Sequence, residues 1–448
     1  MLRLGRRVFG PNTGEKGAGG DTGGMMAATS HESRVTSHED LMPPIRLSRM
    51  CLTAACALAV AAGAAPVSAS DDTLRIAVFN IRELTASKID AVDENGRGVD
   101  PQLSNAGSVV AEVAPDVLVV QEIDYVPGRD LPLEFWRRYV DPGAEGGDLF
   151  QVYLPVNTGV PSALDLDRNG QQGDPEDAWG FGRYPGQYGM ALISRRPIDV
   201  DGIRTFRGLR WITMPGHLMP DGRDGRPSWY DAEAAALLRL SSKSHWDVPI
   251  RVGGDTLHLL ISHPTPPVFD GDEDRNGRRN HDEIRFWADY VSTTDVASPE
   301  VPSAENSSAS GSGEDRASYI VDDRGRRGGL EPGASFVVIG DLNADPHARG
   351  PIGAASIRQL LDHPRIVDPA PRAVGPQPTE RSYAGDPGLR TAAYGRLDYL
   401  LPSRELTVEG SGIFLPPEND PRRRWIDGQD RASDHQLVWL DLLMKGPR

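Results

Sequence analysis

Seven short apolar segments, at residues 74–81, 117–123, 189–194, 257–263, 336–342, 397–401 and 436–443, constrain this chain more than any other feature. Each is rich in Val, Ile or Leu and bounded by Gly, Pro or Asp, the pattern of buried β-strands. Between them, residues 103–113 end just before Pro115. Residues 282–291 carry Ile284, Trp287 and Val291 at helical spacing, and residues 352–361 follow Pro351. These predict helices, so the chain reads as α/β, with helices layered on sheet. With 448 residues and 25% of them charged, it is long enough to bury one large domain or two smaller ones. The segments 124–185 and 199–251 are polar and rich in Gly and Pro, and read as long loops around the sheet edge.

Polar residues fall at the ends of the predicted strands. Asn80, Glu122, His263, Asp341 with Asn343, and Asp434 with His435 sit at or just beyond strand ends, and Asp398 lies inside the apolar run 397–401. Taken singly, an Asp at a strand end caps a turn, an isolated His is a satisfied core residue and an Asn closes a loop. Glu122 and Asp398 are harder to place, because a carboxylate among apolar neighbours needs a partner. Together, hard oxygen donors and two imidazoles are what Mg²⁺- or Mn²⁺-assisted phosphoryl transfer requires.

On these residues the sequence resembles the endonuclease/exonuclease/phosphatase superfamily. The matching segments are Arg75-Ile76-Ala77-Val78-Phe79-Asn80, Asp116 through Glu122, Ile261-Ser262-His263, Gly340-Asp341-Leu342-Asn343, Leu397-Asp398-Tyr399 and Ser433-Asp434-His435, in the family's order. The resemblance implies a four-layer α/β sandwich of two mixed sheets face to face with helices on both outer faces. It implies a divalent metal, Mg²⁺ or Mn²⁺, held by Glu122 with Asn80 and Asp434. The catalytic residues would be His263, Asp341, Asn343, Asp398 and His435. Asp341 would orient or deprotonate water, Asn343 would position water and phosphate, and His435 paired with Asp398 would stabilise charge or exchange protons. His263 would contact a phosphate oxygen or assist the leaving group. Asp341, His435 and a metal-bound hydroxide all qualify as the general base. A phosphate ester is the expected substrate, most simply a diester, with nucleic acid as the alternative.

The N-terminal region carries a second kind of signal. Residues 1–41 show no hydrophobic period and read as a disordered extension or an early start codon. From Met42, Arg46 and Arg49 precede a run of small and apolar residues at 51–65, and Val67-Ser68-Ala69 offers a cleavage site. A signal peptide at 42–69 and a mature domain at 70–448 are expected, with secretion or a periplasmic location and no membrane span after processing. Cys51 and Cys56 both lie in that leader, so disulfides and cysteine nucleophiles are excluded from the mature chain. Residues 1–69 hold seven basic and five acidic residues, so their loss moves the net charge from -16 to -18. An acidic surface disfavours wrapping of long duplex DNA, although a local cation still draws in phosphate. A monomer is expected, with a disordered insertion near 292–318 that is low in apolar residues.

Two segments fit the EF-hand calcium-loop spacing: Asp165, Asp167, Asn169 and Glu176, and Asp272, Asp274, Asn276 and Glu283. They make Ca²⁺ a further expected ion, against the simpler reading as solvated acidic turns. Lys243, Arg278 and Asn280 are the expected substrate contacts, since cationic and amide donors suit phosphate. Residues 240–246 also read as a surface strand with a half-buried Trp246. Gln187 and Tyr188 are left outside the predicted site. A calcium-stabilised adhesion module without catalysis is the alternative of another class; it would lack active-site residues, and none is missing.

Overall fold

Near-continuous apolar runs along the central strands give each sheet two buried faces, which only a layered structure can satisfy. The computed structural model describes residues 73–143, 149–222, 228–292, 316–350, 352–375 and 383–444. Residues 1–41, the leader expected at 42–69 and most of the insertion expected at 292–318 lie outside them. All described residues belong to one unit. Its strands are β1 (Thr73–Leu84), β2 (Val117–Ile123), β3 (Phe150–Val152), β4 (Gly189–Ser194), β5 (Arg204–Thr205), β6 (His245–Val252), β7 (Asp255–Ser262), β8 (Ser335–Asp341), β9 (Asp398–Pro402), β10 (Thr407–Ile413) and β11 (Val438–Leu443).

The first sheet has the order β10-β11-β1-β2-β4-β3 and the second β5-β6-β7-β8-β9. Each is mixed, with one parallel pair: β1 with β2 and β7 with β8. Leu257, Leu259 and Ile261 of β7, Val337 and Ile339 of β8 and Leu400 of β9 share a core with β1, β2 and β11. The alternate residues Leu260, Phe336, Val338, Tyr399 and Leu401 join a second core with Ile284, Trp287 and Val291 of the helix Arg275–Val291 and Ile357 and Leu360 of the helix Ala355–Leu361. The helix Pro101–Val113 contributes Leu103, Ala106 and Val110 to the first core. Asp100 caps it by accepting from Leu103 N at 2.9 Å, Pro101 opens it, and Ala114 in the left-handed region ends it. The result is the four-layer sandwich of two mixed sheets between helices.

Two expectations are corrected. The segment 199–251 is not one long loop: it contains β5, the helix Ala232–Leu237 and β6, the full-length neighbour of β7. Polar residues conceal β6. Asp247 is buried, accepting from Tyr290 Oη at 2.6 Å and lying 2.7 Å from His258 Nδ1. Pro249 lies beyond the two-residue reach of β5, so its missing N–H breaks no ladder there. Trp246 is fully buried, not half-buried. The second difference is the start of the helix predicted at 282–291, which begins two turns earlier at Arg275.

Candidate active site

The ends of the two parallel pairs meet across the sandwich, and Gln121 joins them. Its buried side chain crosses from β2 to the second sheet, where Nε2 donates to Ser262 O at 2.8 Å and Oε1 accepts from Asp341 N at 2.7 Å. The next residue, Glu122, has φ 66°, and both ladders of β2 shift register around it. Such a bulge re-aims a side chain at the rim of a sheet. Glu122 is held in the cleft, accepting from Asn80 Nδ2 at 3.2 Å and Glu83 N at 3.1 Å.

Asp341 stands at the centre. It is 1% exposed, accepts from Asn80 Nδ2 at 3.0 Å and from Asn343 N at 2.9 Å, and its Oδ2 lies 3.5 Å from His263 Nε2 and 3.7 Å from His435 Nε2. On the far side of His435, Nδ1 is 2.8 Å from Asp398 Oδ2. That contact fixes the ring so that Nε2 faces Asp341. Ser433 anchors the last motif: its Oγ donates to Asn80 O at 2.6 Å and accepts from Arg82 N and His435 N. All eight sequence-predicted catalytic and metal residues are thereby accounted for: Asn80, Glu122, His263, Asp341, Asn343, Asp398 and His435 form a connected cluster, and Asp434 lines the same pocket as Glu122 and His263.

The charges are set by burial and by neighbours. Burial opposes the charged form of His435, but Asp398 and Asp341 outweigh it and hold the imidazole as a cation, its pKa raised to about 10. Burial pushes the Asp341 carboxyl above the usual range, with His435 pulling against it and Asp398 adding to it. His263 is driven well below the ordinary value by burial, with Lys243 and His435 adding to the effect, and is neutral.

Asn80 supplies the test for a metal. Its Nδ2 is used twice, yet its Oδ1 is buried without a hydrogen-bond partner beside the Glu122 carboxylate. An orphaned buried carbonyl next to a carboxylate fits a hard divalent cation. Asp341, Asp398 and His435 also bring ligand atoms within 4.8 Å of one another, but their oxygens and nitrogens already face each other as acid-base partners.

A cavity of about 470 Å³ opens beside this cluster, lined by Glu122, His263, Asp434 and Lys243. Lys243 is 6% exposed and its Nζ donates to Pro264 O at 3.3 Å. Burial lowers its pKa, while Glu283 and Asp341 work the other way. The other two expected substrate contacts are placed elsewhere. Asn280 is fully buried and donates to Thr265 O and Leu342 O, each at 2.9 Å, so it braces the loops that carry His263 and Asn343. Arg278 is not among the lining residues; the helical register brings Arg275, Asn276 and Arg279 to the cavity instead. Tyr188, Arg82 and Glu83 also line it and were not predicted. Gln121 was missed as well, although a Gln inside the run Val117–Ile123 is a signal in itself, since a buried amide must be satisfied.

The second calcium pattern is corrected outright. Asn276 and Glu283 lie within the helix Arg275–Val291, and Glu283 is 1% exposed, accepting from Ser242 N, Ser242 Oγ and Thr265 N. Both of its carboxylate oxygens are engaged in holding the loops at Ser242 and Thr265. In the first pattern, Asp165 and Asp167 cluster with Asp177 in place of Glu176, which lines the cavity. Asn169 there donates to Asp167 and Asp174 within the loop.

The family model described as Endonuclease/Exonuclease/phosphatase matches residues 77–435. No curated protein matches the chain. Among solved structures, similarity is found to an endonuclease/exonuclease/phosphatase from Beutenbergia cavernae, at 18% identity and a TM-score of 0.44, over 84% of this chain and 72% of that one. A family protein from Leptotrichia buccalis shows 15% identity and a TM-score of 0.40, over 82% and 98%. The human Nocturnin catalytic domain shows 13% identity and a TM-score of 0.41, over 83% and 94%.

Proposed function

This chain belongs to the endonuclease/exonuclease/phosphatase family, and from that premise we propose that it is an exported, divalent-metal-dependent hydrolase of phosphate esters, acting on diesters. Members of the family are typically phosphoester hydrolases. The observation that carries the reading is the buried Asp341 carboxylate between two imidazoles, with the orphaned Asn80 Oδ1 and Glu122 alongside.

Glu122, Asn80 Oδ1 and Asp434 would hold Mg²⁺ or Mn²⁺, which supplies positive charge against the phosphoryl oxygens. Asp341 Oδ2 accepts the proton of the attacking water as the water oxygen bonds to phosphorus, and the P–O bond to the alcohol breaks with the leaving oxygen taking a proton from solvent. A carboxylate with a raised pKa is the better base near neutral pH. His435, held as an imidazolium by Asp398, lies close enough to stabilise the charge that develops. Neutral His263 hydrogen-bonds a phosphoryl oxygen, and Asn343, whose Nδ2 donates to Pro264 O at 3.1 Å, positions the water. Lys243 lines the same cavity, where the ammonium donors not used by Pro264 O would serve a phosphoryl oxygen.

Export is supported by the basic residues and small apolar run at 42–69. Among the described residues, no helix is long and apolar enough to cross a membrane. The test follows hydrolysis of a chromogenic phosphodiester, its monoester and DNA with Mg²⁺, Mn²⁺, Ca²⁺ or chelator. Diester cleavage that needs metal and is lost in Asp341→Ala is expected. Cleavage that survives in Asp341→Ala would refute the assignment, preference for the monoester would make the protein a phosphatase, and preference for DNA a nuclease.

A further inference from the structure

Beyond the catalytic cluster the cavity lining mixes apolar and aromatic side chains with Glu176, Arg275 and Arg279. Its deep wall contains Leu166, Ala178, Tyr230 and Leu238, exposed by only 5%, 6%, 7% and 1%. None lies on a strand that carries a catalytic side chain: the first two precede β4 and the others precede β6. That part of the lining is thus built by this chain's long connecting segments, while Glu122, His263 and Lys243 line the same cavity from the catalytic side.

The rim is aromatic. Phe181 is 47% exposed and stacks on Tyr188 with centroids 6.5 Å apart and planes 21° from parallel. Phe269, which lines the same cavity, is 87% exposed and has φ 67°. A bulky side chain in the left-handed region costs about 1–2 kcal/mol, and exposure returns none of it. The loop is nevertheless fastened on both sides of Phe269, with Asn276 Nδ2 donating to Val268 O at 2.7 Å and Asn276 N donating to Asp270 Oδ2 at 2.6 Å. Strain held in place beside a cleft points to a ligand contact.

We propose that this part of the cavity binds an aryl substituent of the phosphate ester, with the phosphoryl group at Glu122, His263 and Lys243 and the flat ring enclosed by Leu238, Tyr230, Phe181 and Phe269. Flat rings gain offset stacking from such walls, which an alkyl chain of equal carbon number does not. The volume suits a compact small-molecule ester. This assignment rests on the phosphoester-hydrolase reading.

The test compares phenylphosphonate, hexylphosphonate and methylphosphonate, none of them hydrolysable, by titration calorimetry of the full chain with Mg²⁺. Burying the extra apolar surface of a phenyl over a methyl group predicts at least about tenfold tighter binding after ordering costs, with hexylphosphonate in between. In Ala178→Phe, which fills the deep wall, the phenyl-to-methyl ratio falls towards one. Phe181→Ala, on the exposed rim, lowers it about fivefold and guards against misfolding of the first variant. A ratio near one in the parent, hexylphosphonate binding as tightly as phenylphosphonate, or a ratio unchanged in both variants would overturn the proposal. Turnover of bis(4-nitrophenyl) phosphate on the same preparation separates the two claims. Turnover with no phenyl preference removes the aryl site alone, and phenyl preference without turnover removes the hydrolase reading alone.

Discussion

Replacing Gln121 by Leu removes the side chain that ties the two sheets together while keeping its approximate volume. The substitution strips Asp341 N–H of its acceptor at 2.7 Å and Ser262 C=O of its donor at 2.8 Å. Both groups lie where water cannot replace the lost partner, since Gln121, Ser262 and Asp341 are each 1% exposed or less. A buried backbone group left unsatisfied costs about 1–3 kcal/mol, so two predict a loss of about 2–6 kcal/mol. The gain from burying two more apolar atoms offsets about 1 kcal/mol of that. Urea unfolding of parent and variant in chelator should show the midpoint falling at constant slope. Activity should fall further than stability suggests, by about tenfold or more at temperatures where the variant is folded, because Asp341 and His263 follow the two backbone groups that Gln121 holds. A variant within 0.5 kcal/mol of the parent (on the order of a neutral surface change) and equally active would show that the sheets are registered by packing alone.

Gly340 approaches Ser262 O so closely that a Cβ there would meet it at 2.0 Å. Gly340→Ala should therefore force β8 away from β7 and destabilise the fold by about 3 kcal/mol or more, read from the same unfolding curves; a smaller effect would mean that the strands yield easily. His245, held at 2.7 Å from Ser241 Oγ and 2.9 Å from Glu283 O, is pushed down to about 4 by burial, with Glu283 opposing. Between pH 6.5 and 4 the unfolded chain binds this proton and the folded chain does not, so stability falls with pH across that window by about 3 kcal/mol in all. His245→Gln should flatten the stability profile there by up to one proton, and parallel profiles would refute it.

Much of this architecture was legible because it is written in short continuous apolar runs. β2, β4 and β8 are apolar on both faces, and the functional residues are the polar interruptions at their ends. β6 was hidden for the converse reason: Asp247, Pro249 and His245 are buried in a strand whose polar groups are met by Tyr290, His258 and Glu283, partners that lie on other elements. The start of the helix Arg275–Val291 was lost to a similar effect. Its first turns carry Asn280, Glu283 and Arg279 inward, each satisfied by a loop from elsewhere, so they read as an exposed acidic loop. The exchange of Arg278 for Arg275 and Arg279 at the cavity follows from the same displaced helix start.

The placement of β11 bears on when activity can arise. This strand lies between β10 and β1, and the residues just before it carry His435 to the side of Asn80, more than 350 positions away in sequence. A chain emerging from the ribosome can form the parallel pairs early, but its acid-base cluster stays incomplete until nearly the last strand has been inserted into the first sheet. Partly made or clipped chains should then be inert by construction, their phosphate chemistry withheld until the fold has closed.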